Sequence, residues 1–323
     1  MKRVVLALAF LLFAAPAAFA QQPFPSKPIT MIVVFAPGGA TDVLARLVAD
    51  HMGRTLGQRV IVENVTGAGG TIGGARGGQA EPDGYTLTVG SLGSHSAAPA
   101  IYRSIKYNPR ELEPVGLIAG TPLYFMVKND FPAKTLQEFI AHVKANPGAV
   151  SNGHAGIGST NHLACLLFMD VAGVAFNNIA YRGEGPALKD LAGGHVDSAC
   201  ALAPAAIPLL DGKLARALLV AQGERRAVTP DVPSSKEGGL EAYVFQGWNA
   251  VYAPKGTPAD VMAKLQGALQ AAVSDPDVRK RMEEMGSVPA TAETMKPDHL
   301  RKLVDSEMTR WAKVIKAAGI SEP

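Results

Sequence analysis

Three kinds of residue in this chain could do chemistry: a serine and a histidine three apart, a scatter of further histidines, and glycines placed where strands give way to helices. Ser159 and His162 in GIGSTNHL fall on one helical face, a spacing that could serve a nucleophile and its base. No acid stands where it would orient the histidine, and there is no Gly-x-Ser-x-Gly elbow, so a hydrolase built on this pair is the rival reading. The seven histidines include no His-Glu-x-x-His and the cysteines make no zinc pair, so no metal is expected. Gly67-x-Gly69 with Gly73 and Gly74 resembles a dinucleotide fingerprint only loosely. Its spacing is imperfect, and YTLTVG lacks the acid that should end the next strand, so no cofactor is expected.

The glycines point instead to binding. In ITMIVVFAPGGATD, seven residues from Ile29 to Phe35 suit a strand buried on both faces, because β-branched side chains are stiff and pack well on a pleat. Pro37 stops the strand, Gly38 and Gly39 turn the chain, and Thr41 or Asp42 is placed to cap the helix that follows. Such a turn aims unpaired N–H groups and the positive end of a helix dipole at one point, which suits an anion. Gly156 to His162 repeats the arrangement: glycines, then Ser159 and Thr160 at the start of the apolar helix LACLLFMDVAG. Two such turns aimed from opposite walls into one cavity would hold a carboxylate on a small organic acid. A cavity lined by acidic side chains in their place would argue against this.

The surrounding pattern supplies the walls. Strands are predicted at Arg59–Val65, Tyr85–Gly90, Val150–Gly153, Asn178–Tyr181, Val196–Leu202 and Leu214–Ala221, with helices between most of them, the mark of parallel sheets covered by helices. Ligands in such sheets gather at the carboxyl ends of strands, which puts Ala36–Asp42 and the hydroxyl-rich loop Ser91–Ser96 on one rim. Glu113–Lys128 reads as two strand-like segments, the second crossing into another domain, and Val244–Ala253 returns the chain. The tail is helical, and its last helix packs through Leu300, Leu303, Val304, Met308, Trp311 and Val314.

The start of the chain bears on compartment. Lys2 and Arg3, an apolar run from Val4 to Ala15 and Ala18-Phe19-Ala20 describe a secretory signal peptide over residues 1–20. Without it, 29 basic residues face 28 acidic ones, and aromatic residues are 6% of the chain, so no nucleic-acid footprint is expected. A mature chain of about 300 residues exceeds one comfortable core, and two domains are expected. Cys165 and Cys200 fall on a predicted helix and a predicted strand; export permits a bridge, but two buried thiols are the simpler expectation.

With these stretches in hand, the chain closely resembles the extracytoplasmic solute receptors of the tripartite tricarboxylate transporter system, the Bug receptors. The resemblance rests on PSKPITMIVVFAPGGATD, VIVENVTGAGGTIGG followed by PDGYTL, GIGSTNHL, YRGEGPALKDLAGGHVD and APKGTP, in that order along the mature chain. Val65-Thr66 stands where the family has Arg-Pro. The resemblance implies an α/β, two-domain periplasmic-binding-protein (type 2) fold, each domain a mostly parallel sheet flanked by helices, joined by crossing strands. Residues 21–122 and 248–323 would form domain 1, and residues 123–247 domain 2.

It further implies a periplasmic, monomeric receptor that closes like a trap on a carboxylate, a dicarboxylate by the pairing of donors on two walls, and delivers it to the membrane components of the transporter. Carried over by position, the ligand-binding residues are Phe35, Ala36, Pro37, Gly38, Gly39, Thr41, Asp42, Ser91, Ser94, His95, Gly158, Ser159, Thr160 and His162. Tyr181, Arg182 and Ala203 would form the facing wall. Asp42 is assigned to capping and loop shape, or to a ligand amino group. His162 has a structural hydrogen bond as its alternative, and Arg182 a solvated place at the rim. A receptor read by a signalling partner instead of a transporter has the same sequence features.

Overall fold

A computed structural model of the protein describes residues 23–317 together with 319 and 320, so the predicted leader lies outside the described residues. Strand β1 (Ile29–Val33) is almost wholly buried and pairs in parallel with β2 (Val60–Asn64) and β3 (Thr86–Ser91). Helix α1 (Ala40–Leu56) and the glycine-rich helix α2 (Thr71–Gly78) make the crossovers, as β-branched runs separated by glycine turns require.

Strand β4 (Glu113–Lys128) is one continuous strand of 16 residues, not two. Its glycines and prolines, all before Leu123, interrupt the sequence pattern, yet pairing with the strand Gln246–Ala253 along this half, and with the short strand Val288–Pro289 at Ala119 and Gly120, keeps it extended. Up to Pro122 it runs antiparallel to β9 (Gln246–Ala253), which in turn pairs with β3. From Leu123 it runs antiparallel to β7 (Ser198–Leu202), and from Tyr124 also to β8 (Ala215–Val220). Beyond β7 lie β5 (Ser151–His154) and β6 (Asn177–Ala180), both parallel. The order β2-β1-β3-β9-β4-β7-β5-β6 therefore has two parallel sections, with β4 passing from one to the other.

In the second section Phe125 stacks on Phe168 at 4.0 Å between ring centroids, with Phe139 edge-on at 4.9 Å. Helices α3 (Leu136–Ala145), α4 (Thr160–Ala172) and α5 (Glu184–Ala192) cover this section.

Four further expectations change. Cys165 and Cys200 form a disulfide, joining α4 to β7, instead of two thiols. The loop after β3 is helical, a wide turn over Gly93–Ala97 running into Ala98–Ile101. A helix absent from the sequence reading, α6 (Ala203–Asp211), follows β7 directly; Pro204 sits in its first turn, where no N–H is needed, and Pro208 is carried inside it. In the closing helix α7 (Pro297–Ala317), Ile315 and not Val314 completes the buried stripe with Leu300, Val304 and Trp311.

Candidate functional site

The turn after β1 delivers a helix end with no cap of its own. Gly39 is the N-cap of α1 and has no side chain to cap with, and neither Thr41 nor Asp42 takes that role as expected; the first N–H, that of Ala40, is taken by Glu184 from the other section. Thr41 Oγ1 accepts a hydrogen bond from Asn249 Nδ2 at 2.9 Å. The Asp42 carboxylate turns back on the loop, accepting from Gly38 N–H at 3.1 Å, from Asn64 Nδ2 at 2.8 Å, and from Arg46 at 3.1 and 2.9 Å. Burial raises its pKa, but these hydrogen bonds outweigh burial and hold it below the ordinary aspartate value.

Asp42→Ala is therefore expected to cost about 1.5–3 kcal/mol of stability, the range for hydrogen bonds to a charged group. A carboxyl whose folded pKa is depressed stabilises fully above its unfolded value and loses that contribution as pH falls through the folded value. Urea midpoints of parent and variant should converge at acid pH; a gap that persists there would assign the cost to lost packing.

The second turn is capped from within. Ser159 Oγ accepts His162 N–H at 3.2 Å. The His162 ring accepts Gly158 N–H through Nδ1 at 3.2 Å and lies 4.4 Å from the His154 ring, which accepts Gly156 N–H. Burial, reinforced by His154, pushes the His162 pKa down to about 3, so the ring is a neutral brace for the loop. Ser159 and His162 thus meet as cap and main chain, an arrangement that supplies no general base for a serine nucleophile.

The two turns face each other. A void of about 10 Å³, room for about one water, is lined by Phe35, Gly39, Ala40 and Thr41 from one section and by Thr160, Asn161, Glu184 and Leu202 from the other. Ala36 N–H donates to Arg182 O at 3.2 Å, Gly93 N–H to Thr160 Oγ1 at 3.1 Å, and Tyr102 Oη to Ile157 O at 2.9 Å. Outside this void a cavity of about 240 Å³ opens between Gly67–Gly70 and Phe35 on one side and Gly156, Ile157, Tyr181 and Arg182 on the other. Arg182 is exposed at its mouth, and Pro37 and Gly38 are exposed on the turn. The Tyr181 hydroxyl donates to Asp190 at 2.6 Å.

Ser91 reaches the boundary, 3.5 Å from Thr160 Oγ1. Ser94 and His95 do not: Ser94 Oγ pairs with His95 Nδ1 at 3.0 Å, and the His95 ring stacks on Tyr252 at 4.7 Å, with burial pulling its pKa down to about 3.

One residue at the centre was not singled out in the sequence. Glu184, 5% exposed, holds Ala40 N–H at 2.8 Å through Oε2, and Asn161 Nδ2 at 2.7 Å and Leu202 N–H at 2.6 Å through Oε1. Ala40 opens α1, Asn161 is in the first turn of α4, and Leu202 is the N-cap of α6, beside Ala203. The donor-lined cavity is present, with one acidic side chain among the donors. Burial raises the Glu184 pKa, and the three donors lower it in part.

Two α/β sections whose helix ends converge on a donor-lined cleft define a solute-binding receptor of the periplasmic binding protein fold. Residues 44–320 match the family described as tripartite tricarboxylate transporter family receptor, and the chain belongs to that family. Protein BugT of Bordetella pertussis is 36% identical over 298 residues, covering 92% of this chain and 90% of BugT. MatC from Rhodopseudomonas palustris, solved with bound malate, superposes with a TM-score of 0.87 at 38% identity, over 90% of this chain and all of MatC. An R. palustris protein solved with adipate has a TM-score of 0.87 at 31% identity, over 92% of this chain and 99% of that one. This is a family of receptors and not of enzymes.

Proposed function

We propose that the chain is exported by its leader and works in the periplasm as a monomer. It captures a small dicarboxylate between one lobe, residues 21–122 with 248–323, and another, residues 123–247, by closure of the lobes. It then delivers the ligand to the membrane components of a tripartite tricarboxylate transporter. The observation that carries this reading is the convergence of the α1, α4 and α6 starts on one buried point, whose donors are already arranged around a carboxylate, that of Glu184. Malate in MatC and adipate in the R. palustris relative support acids with two carboxylates. Arg182 lies at the mouth of the outer cavity, and in this reading it pairs with the second one.

A thermal-shift screen with C4 to C6 dicarboxylates, citrate, aromatic acids, amino acids and neutral sugars tests it. A ligand at 100 times its dissociation constant adds about 2.7 kcal/mol to the folded state and raises the midpoint. Sugars raising it while every acid fails would refute the assignment. Arg182→Ala is expected to weaken the preferred dicarboxylate about tenfold, the loss of one partly solvated charge pair. An unchanged constant would remove Arg182 from the ligand's shell.

A further inference from the structure

Glu184 is a buried carboxylate with no cation beside it: among the described residues no lysine, arginine or histidine pairs with it. Two helix starts and one amide support the charge instead. Its two oxygens are not equivalent. Oε1 is held by Asn161 and Leu202, which belong to the same section as Glu184 itself. Oε2 is held by Ala40 alone, on the opposite section. Parting the sections leaves Oε1 satisfied, strips Oε2 of its donor, and strips Ala40 N–H of its acceptor.

A molecule bound between them must restore both. It needs an acceptor for Ala40 N–H and, next to that, a donor for Glu184 Oε2. A plain carboxylate meets the first need and violates the second, because it brings one buried anion against another. A carboxylate with an ammonium or hydroxyl group on the neighbouring carbon meets both.

We propose that Glu184 is the specificity-determining residue of this receptor, selecting acids that carry a hydrogen-bond donor beside a carboxylate, that is 2-amino or 2-hydroxy acids, over the plain acid of the same skeleton. This rests on the cleft being the carboxylate site proposed above. The donor-bearing group faces Glu184 Oε2, its carboxylate takes the start of α1, and the rest of the molecule extends toward the outer cavity.

The test is titration calorimetry on the mature protein with matched sets: succinate, malate and aspartate; glutarate, 2-hydroxyglutarate and glutamate; adipate and 2-aminoadipate. In at least one set a donor-bearing acid should bind tenfold or more tightly than its plain partner. Glu184→Gln keeps the side-chain shape but turns an amide NH₂ toward the ligand, and should collapse or reverse that ratio by improving the plain acid. Glu184→Ser should do the same, and thermal melting of both variants checks that they fold.

Equal affinities within every set, or a ratio unchanged in Glu184→Gln, would overturn the inference and leave the carboxylate reading standing. An equal gain for all acids in the variants would also overturn it, making Glu184 a plain competitor. Binding of none of these acids would overturn the carboxylate reading and this inference with it.

Discussion

Gly185→Ala is expected to leave the protein folded and to weaken ligand binding on the order of 100-fold. A Cβ on Gly185 would lie 2.2 Å from Pro37 O and 3.2 Å from Pro37 C, both main-chain atoms across the cleft. No side-chain rotation relieves a contact between two backbones, so the sections must separate. Separation stretches the bonds from Ala40 N–H to Glu184 Oε2 and from Ala36 N–H to Arg182 O. Gly185 does not have a positive φ, so alanine adopts its conformation without strain and the cost falls on closure alone. Overpacking of a fixed contact costs about 1–3 kcal/mol, the upper end of which is on the order of a hundredfold in affinity.

Calorimetry measures the affinity, and small-angle scattering at saturating ligand should show a larger radius than for the parent. Gly267→Ala is the control. Gly267 is exposed on the helix Ala259–Ser274, with open space where its Cβ would stand, and that change should leave affinity untouched. Parental affinity in Gly185→Ala would mean that the contact with Pro37 is absent from the ligand-bound form.

The turn that carries Pro37 and the Gly156–His162 turn were legible in the sequence because each rests on local rules. A β-branched run, a glycine turn and a helical period dictate β1 and α1 with little help from elsewhere. The parallel pairing of this part of the sheet, and the Gly156–His162 turn at a helix start, follow from the same reasoning, whereas the place of β1 between β2 and β3 does not. What escaped depends on contacts distant in sequence. Prolines 204 and 208 hide α6, which is stable because Ala203, Ala205, Ala206 and Ile207 are buried against the second sheet section. Gly116, Gly120, Pro114 and Pro122 break the reading of β4, yet β9, distant in sequence, pairs along the whole of this half and holds it extended.

Glu184 is the plainest case. An acid in the first turn of a helix looks like ordinary dipole compensation. Its partner across the cleft, Ala40, is 144 positions away, and no periodicity connects the two.

Replacing Cys165 and Cys200 together by alanine is expected to give the largest loss of stability, about 4 kcal/mol. The bridge closes a loop of 35 residues, and on the chain-entropy account that constraint on the unfolded state is worth about this much. The loss should lower the melting midpoint by about 5–10 °C. Alanine is the better test because a serine hydroxyl would be buried at positions that are 0% and 1% exposed. The bridge also joins the two elements that carry two of the three donors of Glu184, Asn161 and Leu202. Cys165 lies one turn after Asn161 on α4, and Cys200 offers its carbonyl to Asn161 Nδ2 at 2.9 Å, two residues before Leu202. Loosening it frees the Asn161 amide from its place between strand and helix, so ligand affinity should fall with stability and not independently of it. Melting the parent with and without reductant should reproduce the difference seen between parent and variant. Thiol titration of the unreduced, unfolded parent should find no free cysteine. Two free thiols there, or superimposable melting curves, would show that the bridge does not form in the folded protein and would return the convergence of α4 and β7 to side-chain packing alone.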